Sequence, residues 1–503
     1  MYSRLISNAL WISLGVFLGR VAGFVREILI AGQFGVSLEA DIAVVLLTAP
    51  DVLTNLLMGG ALSAVLIPRF KRFGIGVRSD ALFYKGTLVA GLFFVGIGAI
   101  ASFHAGSLIV LMAPGLIGEG LARAENLLAQ VVWAIPLTAI AGVSTAYLQS
   151  SGRFFIPAIG GLIFNIVIIF FILFSWHRKI DPLNGMVLAI LVAASSRWLS
   201  QLFQVGLKKK FSWRMLRWKL GGGRLGVRYM QAVVSGGLII LLPVFARALA
   251  SDQGEGYLSL FNYAYKLVEF PLGVCITALS VAVFPMLSQD FARGTNPREN
   301  IRVAIEWVLV ASLSMTSCLW AFSLPIAQLV YERGAIGAEH TAGIASLFAI
   351  GIFSLPLHGV GTLLTTIFFS KGDTSTPLFV TISIYILYVP LGFIFSKWFG
   401  VEGVMFALVV LYTVLMVLYV VLLHVRHGIS LWMILNVKRF LGVMTLMIVS
   451  GILMREGGLP LLFPSLAIPG IIVSLVVLLF FLGFKCLGAT RVPFENIFRR
   501  GDK

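Results

Sequence analysis

Runs of about 18 to 25 apolar residues recur along this chain from one end to the other, each long enough to carry a helix across the ~30 Å hydrocarbon core of a bilayer. Inside hydrocarbon there is no water to satisfy backbone N–H and C=O groups, so repeated runs of this length admit only helices. With 12% charged and 59% hydrophobic residues among 503, the chain lies far from the roughly 25% charge of soluble proteins. The class is an all-α, polytopic membrane protein with no room for a sizeable soluble domain.

Marking the runs between charged or Gly/Pro-rich turns gives about fourteen spans. They fall near residues 6–34, 38–68, 82–104, 122–149, 155–176, 184–206, 228–250, 257–287, 303–324, 340–369, 377–396, 401–424, 438–454 and 465–486. Several exceed what a straight crossing needs, which predicts tilt or kinks. The net charge of +17 would point to nucleic acid in a soluble protein. Here the basic residues sit in short loops, as the excess of Lys and Arg on cytoplasmic loops requires, so no nucleic-acid partner is expected. Arg69, Lys71, Arg72 and Arg78, then Lys208 to Lys210 with Arg214 and Arg217, alternate with poorer loops such as the one carrying Asp252 and Glu255. Both termini then fall on the cytoplasmic side. Arg247, near a span end, is expected as an interfacial anchor.

Cys275, Cys318 and Cys486 form no CxxC and have no nearby His, so neither a disulfide framework nor a metal site is predicted. The first apolar stretch is too long for a cleavable signal and carries Arg20 and Arg26 in its middle, so it reads as a retained helix. Loops are too short for the acidic pairs or His/Asp clusters of a membrane glycosyltransferase or polymerase. Gly221 to Gly223 lack the lysine arrangement of a phosphate-binding loop. No cofactor is implied, and energy for transport is expected from membrane potential or an ion gradient.

An internal repeat shows through the spans. Ala61-Leu62-Ser63 with Pro68 recurs as Ala278-Leu279-Ser280 with Pro285, and Gly152 with Pro157 recurs as Gly372 with Pro377. Both offsets are about 220 residues, or six spans, so two six-helix lobes share one orientation. Such parallel repeats are typical of alternating-access transporters, where substrate binds between the halves. The expected organisation is 1–220 as a first lobe, 221–430 as a second, and 431–503 as two further helices with a tail.

A central membrane Arg costs roughly 2.5 to 3.5 kcal/mol, so Arg20 and Arg26 are candidates for an inward-facing anion site. On an ideal helix they lie about 120° apart, and a shared ligand needs a bend, for which Gly23 is a candidate. Pairing with Asp41, Asp51 or Glu269 is the structural alternative. Gly15, Gly19 and Gly23 recur every four residues, as close helix packing requires. Lys266 and Glu269, spaced i, i+3, can pair on one helix face beside Pro271, which favours a kink.

The stretch from Gly19 through Arg20 and Arg26 to Glu27 resembles the amino-terminal signature of the MurJ/MviN lipid II flippases, within the MOP transporter superfamily. So do Phe34-Gly35, Asp41, the spacing of Pro50 to Pro68, and Lys266-Leu267-Val268-Glu269-Phe270-Pro271. The resemblance covers nearly the whole chain. It implies transfer of an undecaprenyl-diphosphate-linked disaccharide-pentapeptide, a peptidoglycan precursor, from the inner to the outer leaflet of a bacterial cytoplasmic membrane. The membrane lipids would be its other partners and the working form a monomer. By resemblance, Arg20, Arg26 and Lys266 would hold the diphosphate, with Asp41 and Glu269 as gating or balancing charges. Thr54 stands where the family usually has arginine, Gly59 where glutamate is common, and Lys266 where arginine is usual; Thr54, Asn55 and Gly59 are therefore weaker candidates. Another polyprenyl-linked glycan, such as an exopolysaccharide or O-antigen unit, is an alternative substrate. A MATE-type exporter of organic cations and a polysaccharide polymerase are the remaining readings; two deep arginines disfavour the first.

Overall fold

The structure is a computed structural model that describes residues 2–58, 61–74, 76–178, 181–205, 212–216, 241–273, 277–293, 297–431, 437–458 and 467–487. The chain divides into two compact units, Met1–Ser259 and Leu260–Lys503.

The first unit contains α1 (Tyr2–Phe34), α2 (Leu38–Met58), α3 (Ala61–Phe73), α4 (Val77–Phe103), α5 (Ala105–Met112), α6 (Gly118–Val131), α7 (Ala134–Ser150), α8 (Phe155–Arg178), α9 (Pro182–Val205), α10 (Trp213–Leu216) and α11 (Leu241–Ser251). Start signals are local: Ser37 Oγ accepts from the Ala40 N–H at the head of α2. Asp181 accepts from the Leu183 N–H ahead of α9, whose first residue is Pro182, a pairing suited to a helix start. The helix α8 packs against both α1 and α9, and α7 against α3, α4 and α9. The core is aliphatic, with Ile30, Leu46, Ile109, Leu128, Ile135 and Leu148 almost fully buried. One buried polar pair crosses it, Tyr147 Oη donating to Asp80 at 2.9 Å. Arg247, expected at an interface, is instead buried.

Beginning at the boundary lie α12 (Tyr257–Pro271), α13 (Thr277–Arg293), α14 (Arg298–Ala321), α15 (Ser323–Tyr331), α16 (Ala338–Gly351), α17 (Ser354–Ser370), α18 (Ser375–His427), α19 (Val437–Glu456) and α20 (Ile468–Leu487). The last two helices pack on α14 through Val310, Cys318, Met447 and Leu479. Ser317 Oγ donates to the Met447 carbonyl at 2.7 Å to fix that contact.

The repeat is visible in the breaks as well as the helices. Both α6 and α16 end where the next helix opens with a proline in its first turn, Pro136 and Pro356, 220 positions apart. A proline cannot donate to the carbonyl four residues back, so a break is expected there. In the second unit the two pieces are bent by 43°. The Ile352 carbonyl accepts instead from the Leu355 N–H at 3.0 Å and from Thr316 Oγ1 of α14 at 3.4 Å. Likewise Gly152 and Gly372 hold φ of 77° and 79°, a region costly for side chains with a Cβ. Each closes its turn with the same four bonds from three N–H groups, those of residues 151, 152 and 153 and of residues 371, 372 and 373, the first of each shared between two carbonyls.

Among the described residues seven helical segments are long and apolar enough to span, or eight with the bent α16–α17 pair. Two expected spans, 377–396 and 401–424, run together as α18, broken at Gly400 with φ 61°. The short helices α5 and α15 fall where the sequence reading had only connections. The Ala61-Leu62-Ser63 and Ala278-Leu279-Ser280 copies lie at the heads of α3 and α13.

Candidate functional site

Within the first unit the glycine stripe of α1 lies on α8. A Cβ at Gly15 would stand 3.0 Å from Ala158 Cβ, one at Gly19 3.3 Å from the Leu162 nitrogen, and one at Gly23 3.2 Å from Asn165 Nδ2. The stripe is a packing surface, as its four-residue period predicts. The helix α1 continues through Gly23, which makes room for Asn165 and not for a bend.

Arg26 is thereby caught in a network. Its Nη1 donates to Asn165 Oδ1 at 2.9 Å and its Nη2 to Glu27 Oε1 at 2.7 Å, with the two charged side chains only 11% and 5% exposed. Asn165 Nδ2 donates in turn to the Gly19 carbonyl at 3.0 Å. The acid that pairs with Arg26 is thus its sequence neighbour, not Asp41, Asp51 or Glu269. Arg26 Nε is buried with no acceptor. Arg20, on the same helix, is exposed and makes no ion pair among the described residues.

Asp41 is fully buried in the first turn of α2 and spends both oxygens on backbone. Oδ2 accepts from the Gly256 N–H at 2.8 Å and Oδ1 from the Ser259 N–H at 2.7 Å, at the head of α12. Glu255 Oε1 accepts from the Leu38 N–H at the head of α2, so the two carboxylates cap helix starts reciprocally. Thr54 is buried on α2. The Asn55 side chain and Gly59 lie outside the described residues.

In the second unit Lys266 Nζ donates to Glu269 Oε2 at 2.7 Å, the i, i+3 pair expected from spacing, on a half-exposed face of α12. The helix ends at Pro271. Nearby in the same unit, His358 stacks on Tyr412 with ring centroids 4.4 Å apart, and Tyr412 hydrogen-bonds Tyr265.

Sequence reasoning missed four of these groups. Asn165 and Tyr412 carry no charge to mark them, and His358 is hidden within a long span. Arg197 was open to detection, as a lone cation within an apolar run. It sits on α9 with its Nε buried and unpartnered, against Gly160 and within electrostatic reach of Asp51. The cations Arg20, Arg26, Arg197 and Lys266 and the Asn165 amide offer N–H donors of the kind that suit anions, while Glu27 and Glu269 balance two of them. Among the described residues no group of His, Cys, Asp and Glu has metal-ligand geometry.

Two helical units with matching proline breaks and matching glycine turns, and cations on their helices, define a helical membrane protein built on an internal repeat. A solved structure described as lipid II flippase MurJ in an inward closed conformation superposes with a TM-score of 0.77, at 21% identity over 98% of this chain and 99% of that one. An inward-facing multidrug MATE transporter of the MOP superfamily gives 0.69 at 15% identity, over 82% and 97%. Those likenesses establish the fold. Residues 30–473 match the family described as lipid II flippase MurJ, and the chain belongs to that family. A probable lipid II flippase MurJ from Rhizobium tropici is 27% identical over 383 residues, covering 72% of this chain and 70% of the relative. That of Synechocystis is 24% identical over 473 residues, covering 89% and 87%. The protein is a multi-pass bacterial membrane protein of a transporter family, not a polymerase.

Proposed function

We propose that this chain moves lipid II from the inner to the outer leaflet of the cytoplasmic membrane by alternating access, a step of peptidoglycan synthesis. The observation that carries the reading is the family match over residues 30–473. Curated relatives of this name match, and none of those cited is a transporter of another glycan. The intramembrane arginines support it, because a diphosphate requires cations where a cation exporter requires acids.

Arg20, exposed and without an ion-pair partner among the described residues, is the cation most ready to donate to a phosphate oxygen. Arg26 arrives oriented: with Asn165 and Glu27 taking Nη1 and Nη2, its outer edge is held in a fixed plane, and a planar fork matches phosphate bidentately. Lys266 exchanges Glu269 for phosphate, since a half-exposed pair is worth only about 0 to 1 kcal/mol. Glu269 then balances charge once the substrate leaves. Asp41, committed to two backbone donors, acts by holding the head of α12, and any gating role works through that cap. Moving one net charge through the field is worth about 2.3 kcal/mol per 100 mV, enough for membrane potential to reset a cation-lined carrier. Both termini face the cytoplasm in this reading, and the monomer is the working unit.

The test is complementation. The chain is expressed in cells depleted of their own lipid II flippase, beside an Arg20→Ala variant matched for membrane level. Rescue by the wild type alone is expected. Rescue by both removes Arg20 from the mechanism, and failure of well-inserted wild type moves the substrate to another polyprenyl-linked glycan.

A further inference from the structure

The second unit contains a cavity that the transport reading does not use. It holds about 630 Å³, within the usual range of ligand pockets, and is open to the outside. Its walls come from the end of α14, from α15, from α16 up to its bend, from the second half of α18, and from the end of α19. Leu324, Ala345, Ala349, Phe353 and Phe406 make an apolar trough, with Leu324, Phe353 and Phe406 exposed. One cation stands in it: Arg455, in the last turn of α19, lies with its Cζ 4.6 Å above the ring of Trp320. Trp320 is in the last turn of α14 and leans on Phe353, with centroids 6.2 Å apart.

We infer that this groove binds an anionic phospholipid, an acyl chain lying along the apolar trough and the phosphate meeting Arg455. Three observations carry it. First, the apolar and charged parts are ordered as a lipid is ordered: the tryptophan and the arginine sit at span ends, the depth at which tryptophan concentrates and where headgroups lie. Second, Arg455 makes no ion pair with any described carboxylate. Stacking on Trp320 fixes the plane of its guanidinium while leaving the edge N–H groups free, and that edge is what matches a phosphate.

Third, the residues that open the groove differ from those at the matching positions in the other half of the repeat. Helices α4 and α14 end at equivalent residues, Phe103 and Ala321, so Ser102 stands where the second unit has Trp320. Helices α6 and α16 begin at Gly118 and Ala338, so Ala129 corresponds to Ala349 and Glu125 to Ala345. In the first unit Ser102 Oγ donates to the Ala129 carbonyl at 3.0 Å. Glu125 lies against Gly106, its Oε2 2.9 Å from where a Cβ would be. Those contacts join α4 and α5 to α6 at that place. In the second unit Ala345 stands in place of the Glu125 carboxylate and Trp320 in place of Ser102, and α19, which has no counterpart in the first six-helix pattern, brings the cation.

The experiment is native mass spectrometry of the full chain released from micelles carrying phosphatidylglycerol, with phosphatidylcholine as the zwitterionic comparison. One retained phosphatidylglycerol is expected on the wild type. Arg455→Ala should lower its occupancy about fivefold, corresponding to the ~1 kcal/mol that one cation contributes at an anionic surface. Ala349→Phe should expel the lipid by filling the trough with Arg455 intact. Lys397→Ala is the control: Lys397 also stacks over an aromatic ring, Phe393, but does not line this groove, and its loss should leave occupancy unchanged. Melting temperatures of the variants in the same micelles establish folding, and Arg455 is exposed, so its removal leaves packing intact. Equal occupancy in wild type and Arg455→Ala, equal retention of the two lipids, or an equal drop in Lys397→Ala would each overturn the assignment.

Discussion

Asn165 offers a separation of stability from transport. Its amide makes two interhelical bonds, accepting from Arg26 Nη1 at 2.9 Å and donating to the Gly19 carbonyl at 3.0 Å. Interhelical hydrogen bonds in membranes average about 0.6 kcal/mol and reach about 1.7. With a charged donor in one of the two, Asn165→Ala should cost about 1 to 3 kcal/mol and leave Arg26 untethered. Asn165→Asp is the informative partner. It keeps an acceptor facing Arg26 and adds a second carboxylate beside Glu27, so the arginine stays in place while the local charge changes by one unit. If Arg26 serves by offering positive charge to a diphosphate, Asn165→Asp, which gives up only the bond to the Gly19 carbonyl, should lose no more stability than one interhelical bond, about 0.6 to 1.7 kcal/mol, yet transport at least tenfold more slowly than wild type, a barrier of about 1.4 kcal/mol. The assays are thermal melting in micelles, growth complementation, and appearance of lipid II at the outer leaflet at matched protein levels. Wild-type transport by Asn165→Asp would refute the reasoning, because it would show that the Arg26 charge is not presented to the substrate.

Other substitutions probe the remaining features. Asp41→Ala removes the carboxylate that accepts from two backbone N–H groups at the head of α12 and should lower stability by about 1 to 2 kcal/mol, read as a melting shift; an unchanged melt would show the cap to be dispensable. Gly15→Leu forces α1 away from Ala158 Cβ, 3.0 Å from the Cβ position, and should reduce folded protein in the membrane, whereas Gly161→Leu, with nothing within 4 Å of its Cβ position, should be tolerated at that contact. Arg197→Leu should cost little in stability, because the Arg197 Nε has no acceptor to lose; a large melting drop would reveal a structural role for that cation. Asp373, at the turn ahead of α18, is a pH probe: burial pushes its pKa up, but bonds from the Thr376 hydroxyl and N–H and from His427 outweigh it and hold the carboxyl below its ordinary value of 3.8. The stability it contributes is therefore complete above that value and lost as pH falls through the lower folded one. Wild type should lose melting temperature on acidification below about pH 4 more steeply than Asp373→Asn, and parallel curves would contradict this.

What the sequence disclosed and what it hid divide along physical lines. Helices in hydrocarbon are dictated by local apolar length, so α4, α8, α9 and α14 fall within a few residues of expectation. The glycine stripe and the Lys266–Glu269 pair were legible because helical period alone decides them. The proline breaks at Pro136 and Pro356 were passed over because hydropathy runs straight through them. The role of Asp41 depends on backbone groups 215 and 218 residues away, a contact no local pattern encodes. Pairing of Arg26 with Glu27 was missed for another reason: neighbours on a helix ordinarily diverge, and only the Asn165 amide on the far side turns the guanidinium toward its own neighbour.

The paired glycine turns have a consequence for ancestry and engineering alike. After Gly152 the chain places Arg153, whose guanidinium clasps the Gln204 carbonyl near the end of α9. After Gly372 it places Asp373, which clasps Thr376 and His427 at the end of α18. The two joints share a backbone inherited from one ancestor but were wired afterwards with opposite polarity, one cation to carbonyl and one carboxylate to imidazole. A chain assembled from two first halves would lack α19 and α20 and lose its only acid-sensitive joint of this pair, so the two joints are copies in geometry and no longer interchangeable parts.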